Sequence, residues 1–356
     1  MATDRFPCPE CGGQMQFSPE TQALTCEFCG HMSPIAAEGE IREYGIEEIA
    51  QYETRSWGQE TAVIHCENCG GETVISASEK SNFCAFCGSA HVLKTQEEAG
   101  ASPESLVPFK VTRKSAQEAF RKWISHRWFA PGALKKSYVA DRLSGLYIPF
   151  WTFDAATEAS YTCEVGHDYF TTETYTDIVN GKSELRTRQV RHTRWSFASG
   201  NHAKVFDDVL VNASEKFNPE RIRALEPYFT RELAPYQPEY LAGFLCEKYV
   251  KGGAESLAEA KQRMLDRVSE EIVAKQHADH VRGLNVNIRY RNLTFKHILL
   301  PVWLSSYTYG TRIYQFCING QTGEVQGEAP ISPWKVAGAV AVALAVVGLY
   351  YAYYYG

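Results

Sequence analysis

What the 356-residue chain lacks narrows its function first. It holds no G-x-x-x-x-G-K-[ST] phosphate loop, no G-x-G-x-x-G turn, no H-E-x-x-H and no G-x-S-x-G. P-loop nucleotide hydrolysis, dinucleotide binding, zincin proteolysis and esterase chemistry therefore have no sequence carrier. The first ten residues, MATDRFPCPE, contain no apolar signal segment. With eleven unevenly spaced cysteines, that argues against a secreted disulfide framework and for a reducing compartment. Basic residues are scarce at the start: in residues 1–94, Arg5, Arg42, Arg55, Lys80 and Lys94 face fourteen Asp or Glu, a net charge of −9. Such a segment repels phosphate, and no aromatic platform interleaved with basic residues offsets this. Disorder is excluded by 44% hydrophobic and 13% aromatic residues against 22% charged.

What is present begins with a repeat. Cys8-x-x-Cys11 and Cys26-x-x-Cys29, fourteen residues apart, return at an offset of 58 as Cys66-x-x-Cys69 and Cys84-x-x-Cys87. Gly12, Gly13, Ser18, Phe28 and Gly30 recur as Gly70, Gly71, Ser76, Phe86 and Gly88, so duplication is the simplest account. Two thiolates on a tight turn face one ion, and two such turns complete a closed tetrahedral site. The expected cofactors are two structural Zn2+ ions, one held by Cys8, Cys11, Cys26 and Cys29 and one by Cys66, Cys69, Cys84 and Cys87. Disulfides, an iron–sulfur cluster and C-x-x-C redox chemistry are the alternatives, as is a site built across the two copies. Glycine follows each second cysteine, which is read as leaving room where a Cβ would clash while amides turn toward sulfur. Closed sites have no open coordination position, so the metal is expected to hold the fold rather than to catalyse. Cys163, Cys246 and Cys317 lie singly among apolar or aromatic neighbours and read as core thiols.

The spacing divides the chain into ribbon 1 (1–30), an acidic, partly helical spacer (31–60), ribbon 2 (61–95), a polar linker (96–105) and an aromatic-rich domain (106–330). In that domain Ser115-Ala-Gln-Glu118 and Ser256-Leu-Ala-Glu259 are capping boxes that open helices, the second running to about Gln276 with Leu257, Ala260, Met264, Leu265, Val268 and Ile272 on one face. Residues 145–211 and 285–326 read as strands, with turns at Asn319-Gly320 and Thr322-Gly323. Leu146-Tyr-Ile-Pro149-Phe-Trp151 is echoed 152 residues later by Ile298-Leu-Leu-Pro301-Val-Trp303. Residues 110–142 carry nine Lys or Arg against Glu118 and Asp141; a solvated helix face is one reading and contact with anionic lipid another. Arg186, Arg188, Arg191 and Arg194 read as an exposed strand face, and His277-Ala-Asp-His280 as solvent-facing. No catalytic or cofactor-binding residue emerges, although an enzyme site within 106–330 stays open to a structure with a deep ionisable pocket.

The last segment, Val336 to Tyr354, is nineteen residues without a charge, flanked by Trp334 and Lys335 at one end and by Tyr350, Tyr351, Tyr353 and Tyr354 at the other. As a helix it spans about 28 Å, against a hydrocarbon core of about 30 Å. Its flanks match the aromatic belts of two membrane interfaces. The expectation is a single-pass helix at 334–354 with a short tail, the N-terminal bulk in the cytoplasm and the bilayer as a partner.

Taken together, the chain resembles a bacterial family of membrane-anchored double zinc-ribbon proteins, often labelled TFIIB-type zinc-ribbon-containing or primosomal helicase-like. The resemblance rests on both ribbons, Trp57-Gly58, Val107-Pro-Phe-Lys110, Lys122-Trp123, Trp128-Phe-Ala-Pro131, Tyr147-Ile-Pro-Phe-Trp151, Glu226-Pro-Tyr228, Tyr240-Leu-Ala-Gly-Phe244, Pro301-Val-Trp303 and Asn319-Gly-Gln-Thr-Gly323. It implies an α+β protein with two four-cysteine zinc ribbons, an aromatic-rich α+β domain and one C-terminal transmembrane helix, and protein partners of phage-shock or SPFH-domain type. The missing phosphate loop speaks against a helicase. The reading that follows is a non-enzymatic adaptor recruiting a protein at the cytoplasmic membrane face, the alternative being a nucleic-acid-binding ribbon protein linked to replication.

Overall fold

A computed structural model describes residues 6–36, 39–55, 61–66, 72–76, 92–95, 101–132, 143–179, 182–215, 219–309 and 312–355. Its strands are β1 (Met15–Ser18), β2 (Ala23–Cys26), β3 (Met32–Pro34), β4 (Tyr44–Gly45), β5 (Thr61–Cys66), β6 (Glu72–Ser76), β7 (Val92–Thr95), β8 (Ser105–Leu106), β9 (Ser144–Val179), β10 (Lys182–Asn212), β11 (Ala234–Pro235), β12 (Leu245–Glu247), β13 (His280–Tyr309), β14 (Arg312–Asn319) and β15 (Val325–Gly327). The helices are α1 (Ile49–Glu53), α2 (Arg113–Ser125), α3 (Pro219–Arg223), α4 (Gly253–Lys275) and α5 (Pro333–Tyr355). The protein is thus mixed α/β with a sheet-rich body and one C-terminal apolar helix. It forms two compact units, the first Met1–Thr152, Val211–Ser256 and Lys296–Gly356, the second Phe153–Leu210 and Leu257–Phe295.

In the first unit, Leu146-Tyr-Ile-Pro-Phe-Trp151 on β9 and Ile298-Leu-Leu-Pro-Val-Trp303 on β13 are unbroken buried runs, the pattern of strands covered on both faces. The two echo each other in structure as well. Pro149 and Pro301 donate no backbone hydrogen bond, but their carbonyls accept from the amides of Ala213 at 3.0 Å and Gly320 at 2.8 Å. The Trp151 indole donates to the Lys251 carbonyl at 2.9 Å and the Trp303 indole to that of Val111 at 2.8 Å. Strand β8 pairs in parallel with β13, β12 in parallel with β9 and β14 antiparallel with β13. The acidic segment read as a spacer supplies Tyr44, Ile49 and Tyr52 to the core. There Tyr52, Trp151 and Tyr249 enclose the buried His297, whose ring lies 5.0 Å from Trp151 and 5.1 Å from Tyr249 between centroids.

Helix α2 starts two residues before the expected capping box. Thr112 is its cap, the side chain accepting from the Ser115 amide at 3.1 Å, and Ala116, Phe120 and Ile124 face inward. Helix α4 likewise begins at Gly253, ahead of Ser256, and ends one residue short of Gln276. The turn at Asn319-Gly320 is held by Asn319 itself, whose side-chain oxygen accepts from the amides of Gln321 and Thr322 at 2.8 and 3.0 Å.

The second unit is built on the long antiparallel partners β9 and β10. From Phe153 to Val165 side chains alternate buried and outward, the period-two signature of a strand covered on one face. Helix α4 buries Ala260, Met264, Val268 and Ile272 as its spacing predicts, while Leu257 and Leu265, read onto the same face, lie at its margin and are half-buried. It is tied to the strands by Gln276 with the Tyr161 hydroxyl at 3.0 Å, Arg263 with the Leu210 carbonyl at 2.6 Å, and Glu271 with Lys204 and His202.

Candidate metal centre

Cys8 and Cys11 flank one tight turn, and Cys26 and Cys29 flank another at the end of β2. The turns are built alike. The Gly12 amide donates to the Cys8 carbonyl at 2.8 Å and the Gly30 amide to that of Cys26 at 2.9 Å. Returning bonds join the Cys8 amide to the Gly13 carbonyl and the Cys26 amide to the His31 carbonyl. Gly12 and Gly30 have φ of +72° and +75° with open space where a Cβ would stand. Glycine is needed here for its left-handed backbone and not for room, which corrects the steric reading. Pairing of β1 with β2 and β2 with β3 brings the turns together.

All four sulfurs lie within 4.8 Å of one another, with Cys8 to Cys29 at 3.4 Å and Cys11 to Cys26 at 3.5 Å. Cys8 and Cys26 are buried while Cys11 and Cys29 are exposed, and all four are free thiols. Backbone amides of Cys29 and Phe28 pull the Cys26 thiol down to about 7. At Cys29 the His31 amide also pulls down, but the sulfurs of Cys8 and Cys11 push the thiol up to about 12. Four acids this close cannot all ionise unless a cation joins them, which is the electrostatic condition of a metal site. These four cysteines could hold a metal ion.

The cluster sits on a small apolar base of Met15, Phe17 and Leu24, and it is docked. Phe17 meets Tyr240 edge-on at 5.2 Å, and its amide donates to the Ala242 carbonyl at 2.9 Å. The second cysteine set falls outside the described residues except for Cys66, the last residue of β5. The backbone around it keeps the repeat: His65 pairs with Glu72 where, 58 residues earlier, Pro7 pairs with Gln14. Strand β6 pairs with β12, so both copies meet the stretch from Tyr240 to Glu247.

Cys163, Cys246 and Cys317 are buried, as expected of core thiols, and burial raises all three, Cys317 to about 12. Arg186, Arg188 and Arg191 are exposed and pair with Asp177, Glu173 and Asp168. His280 is exposed beside Asp168 at 3.1 Å. Sequence reasoning missed Asp154, Asp207 and Asp208, whose carboxylates gather within 4.8 Å on β9 and β10. No spacing announces them, because pairing of two strands makes the cluster. Cavities of about 520 Å³, lined by Lys110, Phe229, Glu232 and Gln321, and about 550 Å³, lined by Ser160, Asn201, His202 and Arg289, lie in the first and second units respectively.

The chain is similar to the "Uncharacterized protein YdjG" of Bacillus subtilis (strain 168), 30% identical over 344 residues that cover 93% of this chain and 92% of the relative. No protein-family model and no solved structure matches it.

Proposed function

The chain belongs to the same family as YdjG of Bacillus subtilis, and we propose that it is a membrane-anchored zinc-ribbon adaptor that gathers a protein partner at the cytoplasmic membrane face. The observation that carries the reading is the four-sulfur cluster on a chain that ends in an apolar helix. A tetrahedron of zinc–sulfur bonds of about 2.3 Å has sulfurs about 3.8 Å apart, and the four thiols stand at that scale. Four thiolates saturate zinc, so the ion holds the two turns together and takes no substrate. Fully thiolate zinc belongs on the reducing side, which puts the ribbons in the cytoplasm. Helix α5 is long and apolar enough to cross a bilayer, with mean hydropathy 1.9 over a span that has no buried share. A fourteen-to-five excess of acidic residues in 1–94, with two further negative charges at each thiolate zinc site, favours a protein partner over nucleic acid.

The test is a pull-down from detergent-solubilised membranes with the full chain and with a chain lacking residues 1–95. A partner retained only by the full chain supports the adaptor. Binding of the full chain to DNA that weakens steeply with salt overturns it in favour of the replication-linked reading.

A further inference from the structure

The end of α2 and the start of α5 are joined in the first unit. The Lys335 ammonium donates to the carbonyls of Ala130 at 2.6 Å and Trp128 at 3.2 Å, and the Ser332 amide donates to the Phe129 carbonyl at 2.8 Å. The turn from Arg127 to Ala130 is closed on itself, by the Arg127 amide on the Ile124 carbonyl and the Ala130 amide on that of Arg127. Ile124 and Ala130 are buried, which roots the turn in the body. What it presents outward is aromatic: Trp128 is 83% exposed and Phe129 46%, and Trp334 on the first turn of α5 is 87% exposed. Three bare aromatic rings near one another mark an interaction surface. Arg121, Lys122 and Arg127 are exposed on the same end of α2.

Position names the occupant. Lys335 is the last charge before the apolar run that opens at Val336, so a turn bonded to its ammonium stands within about one helical turn of the hydrocarbon boundary. Indole and phenyl rings settle at that depth, and arginine and lysine beside them attract anionic headgroups. We propose that Trp128 and Phe129, with Trp334, form a platform that lies in the interfacial layer of an anionic bilayer and holds the body against the membrane by a second contact. The platform rests on the reading of α5 as a membrane-crossing helix. It lets the Lys335 bonds fix the tilt of the body, where a lone helix would leave it free to swivel.

The test reconstitutes the full chain in phosphatidylcholine–phosphatidylglycerol vesicles whose acyl chains are brominated near the headgroup, and reads quenching of its seven tryptophans. Trp128→Phe and Trp334→Phe each replace one exposed, emitting indole by a phenyl ring that does not report in the tryptophan band. Each variant is expected to lose part of the lipid-quenched emission, and the Trp128→Phe loss should shrink when phosphatidylglycerol is omitted. If Trp128→Phe removes only unquenched emission from a chain that floats with the vesicles, the platform is refuted while the membrane helix stands. A chain that does not float refutes the helix reading itself.

Discussion

Lowering the pH should weaken the fold through one buried imidazole. His297 is 0% exposed, and burial pushes its pKa from 6.5 down to about 3 against a smaller opposing pull from the Ser102 backbone. Unfolded, the ring takes a proton near 6.5; folded, it does not until about 3. Between those values the unfolded chain binds more protons, so stability is full above 6.5 and is lost as the pH falls. Each unit of pH well below 6.5 costs about 1.4 kcal/mol and almost nothing is lost above it, so passing from about pH 7 to about pH 4.5 removes about 2.5 kcal/mol. The assay is urea unfolding of the full chain in detergent micelles, followed by circular dichroism, for wild type and His297→Phe. Phenylalanine fills the aromatic box of Tyr52, Trp151 and Tyr249 without titrating. Any packing penalty is a constant offset, and the cysteines and carboxylates titrate alike in both proteins. The advantage of the variant should therefore grow by about 2.5 kcal/mol across that range. Parallel curves would mean that the ring protonates in the folded state near its ordinary value, and the argument from burial would fail.

Metal analysis of the purified chain should return two zinc ions, with one lost in Cys11→Ser; an unchanged content would exclude the first cluster as a ligand set. Gly30→Ala places a Cβ at φ +75°, which should cost about 1–2 kcal/mol and speed zinc loss to a chelator; retention at the wild-type rate would count against the turn argument. Glu271 is held below its ordinary 4.5 by Lys204 first and then His202. Its stabilisation is present above pH 4.5 and fades as the pH falls below it, so Glu271→Gln should flatten the acid limb of unfolding. Ending the chain at residue 330 should move it from the membrane fraction to the soluble one, and continued sedimentation with membranes would deny α5 the anchoring role.

The elements with the strongest local signals were legible in residue order. The apolar run at Val336 to Tyr354 needs no partner to be helical and bare, and it forms the helix expected. Ala260, Met264, Val268 and Ile272 recur at the helical repeat and are all buried. Cysteine and glycine spacing announced the four-sulfur cluster, because two residues between ligands and a left-handed residue after them are requirements of a single short turn. Local chemistry was less decisive where two signals compete: Thr112 capped α2 in preference to Ser115, since its side chain already reaches the third amide.

Other features depend on which segments lie side by side, a matter of contacts between residues far apart in the chain. Asp154 meets Asp207 and Asp208 only because β9 and β10 are neighbours. His297 titrates abnormally only because Tyr52, Trp151 and Tyr249 arrive from three distant segments to exclude water from it. The Lys335 bonds that bring Trp128 beside Trp334 close a gap of about two hundred positions. A motif confined to one turn carries its geometry in its own residues, so the sequence by itself determined the four-cysteine cluster and the apolar helix. The buried histidine, the acidic trio and the aromatic corner take their properties from neighbours that only tertiary packing supplies.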